Sequence, residues 1–138
     1  KGADVEKGAY IISPAKTQEP DGILLASGSE VSLALEVKAK LQKQGDYDIQ
    51  VVSVPSIERF KEQSADYQEQ VLPTGVRHRL AVEMGNTQAW YQFVGLDGRV
   101  VGVDTFGKSG KGPEVVADYG FTVDHVVDVF NKMWEDQN

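Results

Sequence analysis

Four short apolar runs, residues 23–26 (ILLA), 49–54 (IQVVSV), 80–82 (LAV) and 100–103 (VVGV), recur along the chain with helix-length stretches between them. A run of consecutive apolar residues without polar alternation is what a strand buried on both faces requires. Strands separated by helices pair in parallel, and their crossovers cover both faces of the sheet. The pattern therefore predicts an α/β domain, a three-layer α/β/α sandwich around a mostly parallel sheet. An earlier apolar stretch, Ala9-Tyr10-Ile11-Ile12, is closed by Pro14 and joined to residue 23 by only about ten residues, too few for a helical crossover. That first strand is expected not to run parallel to its sequence neighbour.

The helices between the strands carry their own signals. Ser29 reads as the N-cap of a helix ended by Gly45, with Val31, Leu33, Ala34, Leu35, Val37 and Leu41 on its apolar side and Glu36–Lys40 as an i,i+4 pair. After Pro55, residues 57–63 and 65–72 read as two short helical pieces, and an aromatic helix is expected around Trp90, Tyr91 and Phe93. Pro113 opens a helix stopped by Gly120. Thr122 caps a last one whose Val123, Val126, Val127, Phe130 and Trp134 follow the 3.6 period.

With 138 residues, 41% hydrophobic and 25% charged, the chain has the length and make-up of one globular domain. A net charge of −7 without a basic face argues against nucleic acid and anionic membrane as partners. No cysteine is present, which excludes disulfides, thiolate metal sites and a cysteine nucleophile and fits a cytoplasmic setting. No apolar run approaches the ~18 residues of a spanning helix. The chain starts at Lys1 without a methionine before Met84, so residues 1–138 read as one domain cut from a longer polypeptide, with 1–8 as linker.

In such sheets ligands bind beyond the carboxyl ends of the strands, which directs attention to residues 27–30, 55–58, 84–88 and 104–112. Gly102-Val103-Asp104-Thr105-Phe106-Gly107-Lys108-Ser109 satisfies the phosphate-loop pattern letter for letter. A phosphate cradle, however, needs the strand to end before the first glycine and a helix to begin at Gly-Lys-Ser. Here the strand should run through Gly102 and Val103, and Gly110, Gly112 and Pro113 delay the helix, so a flexible glycine-rich connection is the better reading. Ser27, Gly28 and Ser29 at a helix N-terminus form a second possible anion corner, against which simple capping must be weighed. Together with Lys108, Ser109 and Lys111 they make up the candidate anion site. Glu83 ends a central strand where a carboxylate could act, but lacks an evident partner. His125 and Asp128 make at most half a metal site and His78, within Arg77-His78-Arg79, a weak phosphate contact; solvated histidines are the plainer expectation.

Taken together, residues 23–36 (ILLASGSEVSLALE), 51–56 (VVSVPS), 71–73 (VLP), 80–83 (LAVE), 90–95 (WYQFVG), 106–109 (FGKS) and 120–127 (GFTVDHVV) resemble the C-terminal domain of bacterial transketolases in order and spacing. The resemblance runs from about Gly8 through nearly the whole chain. It implies a five-stranded sheet with the first strand antiparallel to the rest, and it explains the phosphate-loop match as part of the family's own Phe-Gly-x-Ser pattern. The stretch 108–112 (KSGKG) is richer in glycine and lysine than is usual there, which leaves a local anion site open. The family's full enzyme transfers a two-carbon ketol unit from a ketose phosphate to an aldose phosphate in the pentose phosphate pathway. It uses thiamine diphosphate and Mg2+ or Ca2+, in a site formed by its first two domains across a homodimer. The Gly-Asp-Gly metal motif is absent, since Gly95-Leu96-Asp97-Gly98 has the wrong order. No catalytic, cofactor-binding or metal residue is carried over, and the resemblance implies an accessory domain, inactive alone, whose partners are the remaining domains of its own chain. The alternative is a small-molecule, anion or nucleotide-binding regulatory module built on the glycine-rich loop 102–112.

Overall fold

The structure is a computed structural model that describes residues 5–45, 47–83, 88–102 and 122–137. Five strands, β1 (Tyr10–Ser13), β2 (Gly22–Ala26), β3 (Ile49–Ser53), β4 (Arg79–Glu83) and β5 (Arg99–Gly102), form one sheet in the order β1-β3-β2-β4-β5. β2, β3, β4 and β5 pair in parallel, whereas β1 runs antiparallel to β3, with Tyr10 opposite Ser53. The short first connection thus reaches past β3 to the sheet edge and reverses direction, as its length required.

Side-chain alternation sends successive residues of each central strand to opposite faces, and both faces are apolar. Ile23, Leu25, Val52 and Ala81 point to one face, Leu24, Ala26, Val51 and Leu80 to the other, and all are fully buried. The second face is covered by two long helices, α1 (Glu30–Gly45) and α5 (Val123–Gln137), through Ala34, Val37, Leu41, Val126, Phe130 and Met133. The first is covered by three short ones, α2 (Ile57–Lys61), α3 (Ala65–Val71) and α4 (Tyr91–Val94), the last preceded by a 3-10 turn at Gln88–Trp90. Ser56 and Ser64 cap α2 and α3 by accepting from the N–H groups of Arg59 and Tyr67. Thr122 caps α5 in the same way, accepting from the His125 N–H at 3.1 Å.

Three local expectations change. Ser29 turns its hydroxyl to the Glu30 carboxylate at 2.8 Å, so the first bonds of α1 run instead from the Glu30 and Val31 N–H groups to the Ser27 and Gly28 carbonyls. Lys40 pairs across the helix interface with Asp124 of α5, because a docked neighbour supplies a carboxylate where an isolated helix would offer only Glu36. Leu35 remains exposed, since the turn of α1 that meets the sheet is centred on Ala34 and Val37. The expected helix from Pro113 to Gly120 lies outside the described residues.

Candidate functional site at the carboxyl ends of the strands

β2, β3 and β4 end side by side at Ala26, Ser53 and Glu83, and the residues that follow them line a crevice of about 270 Å3. Ser27 leaves β2 and Ser56 precedes α2; Glu83 closes β4, Glu58 sits in the first turn of α2, and buried Trp90 forms one wall. The Ser27 hydroxyl donates to Glu83 Oε1 at 3.1 Å, which fixes the carboxylate at the mouth of the crevice. β3 intervenes between β2 and β4 in sequence but not in the sheet, and that is what joins Ser27 to Glu83 across 56 positions. Sequence reasoning named both residues without pairing them.

Of the candidate anion set, Ser27, Gly28 and Ser29 come together at the start of α1, Gly28 with φ +57°. Their surroundings are anionic: Ser27 serves Glu83 and Ser29 serves Glu30, so both hydroxyls are engaged by carboxylates. Lys108, Ser109 and Lys111 lie outside the described residues. So does most of the phosphate-loop match, but Gly102 is within β5, opposite Glu83, so the strand does not end before the first glycine as a phosphate cradle requires.

The basic tripeptide at the opposite end of β4 divides into three fates. Arg77 pairs with Asp97. His78 lays its ring against Trp134, with centroids 4.3 Å apart, and burial pulls its imidazole below the usual range, Asp97 opposing and Arg77 reinforcing. It is packed rather than solvated. Arg79 is spent on the fold: its guanidinium donates to the carbonyls of Val76 (2.9 Å), Phe93 (2.7 Å), Leu72 (3.2 Å) and Pro73 (2.8 Å), gathering the chain ends of α3 and α4. Burial lowers its pKa, and Glu69 opposes. A wider cleft of about 690 Å3 beside it, floored by Phe60, Leu72 and Phe93, therefore receives no free guanidinium. His125 is half-buried in α5 rather than solvated.

Comparison with known proteins places this architecture. Residues 8–122 match the family model described as the transketolase-like C-terminal domain. The chain belongs to that family. It is 50% identical over 125 residues to the transketolase of Bacillus subtilis, covering 91% of this chain and 19% of that protein. Among solved structures, a transketolase from Leishmania mexicana superposes with a TM-score of 0.80 at 30% identity, covering 97% of this chain and 19% of that one. That of Campylobacter jejuni gives 0.77 at 38% identity, covering 94% and 19%. The chain thus spans about a fifth of the length of the relatives it matches.

Thiamine diphosphate and a divalent metal, which the family implies for the whole enzyme, do not fit the described residues. No three His, Asp or Glu side chains gather among the described residues. The crevice presents carboxylates where a diphosphate needs donors.

Proposed function

We propose that residues 1–138 form the C-terminal accessory domain of a transketolase, joined through residues 1–8 to the domains that carry the chemistry. The observation that carries this reading is the family match over residues 8–122 together with a relative that is 50% identical and about five times as long. The longer protein transfers a two-carbon ketol unit between sugar phosphates in the cytoplasm as a homodimer. Thiamine diphosphate supplies the electron sink that no side chain can replace, held with its metal by residues outside this chain. This domain contributes no catalytic, cofactor-binding or metal residue and acts by stabilising the subunit.

Ketol transfer from xylulose 5-phosphate to ribose 5-phosphate, followed with thiamine diphosphate and Mg2+ present, tests the reading. The full-length protein is expected to turn over, while the 138-residue chain alone is expected to be inactive and silent in calorimetric titration with Mg-ATP and inorganic phosphate. Saturable micromolar binding of either anion by the isolated chain would favour a regulatory module instead, and a full-length protein without transfer activity would sink the reading.

A further inference from the structure

Ile49, Val51 and Val52 of β3 are fully buried core residues, and among them stands Gln50, only 5% exposed. An amide in such a place costs stability unless its polar atoms are bonded. Half of it is. Nε2 donates to the Val71 carbonyl at 2.8 Å, one of those that the end of α3 leaves without a helical partner. That bond also fixes which end of the amide is nitrogen and which is oxygen. Oε1 accepts from no described residue, and Nε2 keeps a second N–H.

Gln50 lines a crevice of about 380 Å3 near the amino end of β3, a size that small-molecule sites have. Ile11, Pro14, Ala15 and Pro73 give it apolar walls, and Gln18 and Gln70 add two further carboxamides. The wall that follows β1 is held from behind by Asp48, which accepts from the N–H groups of Lys16 (2.7 Å) and Thr17 (3.1 Å) and from the Thr17 hydroxyl (2.6 Å). Glu69 is the one charged residue in the lining, and its Oε2 already accepts from the N–H and hydroxyl of Thr74 at 3.0 and 3.3 Å. No Lys, Arg or His lines the crevice among the described residues. An anion would therefore bring its charge beside Glu69 with no cation to meet it. A molecule that carries an N–H next to a carbonyl can instead donate to Gln50 Oε1 and accept from its second N–H, while an apolar body lies against the prolines. We propose that this crevice binds a small uncharged molecule with an amide or lactam edge on an apolar body, and that Gln50 reads the edge. The site is separate from the Ser27–Glu83 crevice at the carboxyl ends of the strands, and it stands apart from the reading of the chain as part of a transketolase.

Saturation-transfer difference NMR on the full-length protein, with thiamine diphosphate and Mg2+ present, tests this with benzamide as probe and benzoate as control. The two differ only in carrying NH2 or a charged oxygen. Benzamide is expected to give a saturable signal with a dissociation constant in the millimolar range or below. Benzoate at the same concentration should give a signal about tenfold weaker, because its charge finds no partner. Ala15→Phe fills the crevice from its wall and leaves the Gln50–Val71 bond in place, so the benzamide signal should fall about fivefold or more, whereas Ser32→Phe on the exposed side of α1 leaves it unchanged. Gln50→Met removes both the acceptor and the donor at similar volume and should lower the signal as far; if that variant does not fold, Ala15→Phe decides alone. Absence of a saturable benzamide signal, equal signals from benzamide and benzoate, or a signal that survives Ala15→Phe each overturns the proposal, the last because benzamide would then sit elsewhere on the protein. Ketol transfer is assayed separately, and its absence would remove the transketolase reading without bearing on this crevice.

Discussion

Arg79 shows how far a residue's work can depart from its neighbours'. Five donors in a rigid fork reach four carbonyls, those of Leu72, Pro73 and Val76 in the chain that follows α3 and that of Phe93 in α4. A lysine has one ammonium and cannot span them. Arg79→Lys is expected to cost about 2–3 kcal/mol in urea unfolding, since two or more charge-assisted bonds are lost around a half-buried carbonyl cluster. His78 gives a second prediction, in pH. Burial lowers its pKa in the folded state, so the unfolded chain takes up the proton first as pH falls. The stability it confers is complete above about pH 6.5 and is lost progressively below, toward the folded value. Urea midpoints measured from about pH 8 to 5 should fall, and His78→Gln should flatten the part of that fall below about pH 6.5. None of this was legible in Arg-His-Arg as a string. Trp134 and the Leu72 and Phe93 carbonyls reach the tripeptide only through the third dimension, and a basic triplet reads the same whether packed or solvated.

Elements were more legible where periodicity alone decides them. α5 carries apolar residues at the helical period, and Val126, Phe130 and Met133 are buried against α1 and the sheet as that period demands. Its cap at Thr122 was readable because a hydroxyl immediately before a periodic run has one common use. Thr122→Ala should cost about 1 kcal/mol by thermal or urea unfolding, the N–H of His125 then depending on water. Phe130 is a sharper probe of the same element. It is fully buried, meets Tyr47 edge-on at 5.3 Å, and fills the space over Gly22, where an added Cβ would come within 2.6 Å of its ring. Phe130→Ala is expected to cost about 3–5 kcal/mol, because the glycine below cannot expand to fill the cavity. What pairing between elements does is another matter: Lys40 serves Asp124 rather than Glu36, a choice made by the docking of two helices that brings together residues 84 positions apart.

At the scale of the molecule, a sheet apolar on both faces was legible in the unalternating strands, but strand order was not. Hydrophobic runs of similar length do not say which strand stands beside which, and the order β1-β3-β2-β4-β5 is what brings Ser27 to Glu83 and Gly8 to Ser56. That order also makes the sheet one structural unit shared by two cores. Ile23 belongs to the core under α2, α3 and α4, Met133 to the core under α1 and α5, and both residues are fully buried. Ile23→Val should cost about 0.5–1.5 kcal/mol and Met133→Ala about 2–5 kcal/mol. Since the two side chains lie on opposite faces in separate cores, the double variant should equal the sum to within about 0.5 kcal/mol. If the sheet joins the two cores into one cooperative unit, each variant unfolds in a single transition that near-UV and far-UV circular dichroism follow alike. Two separated transitions, with Ile23→Val moving one and Met133→Ala the other, would mean that each face melts on its own and that the sheet does not couple them.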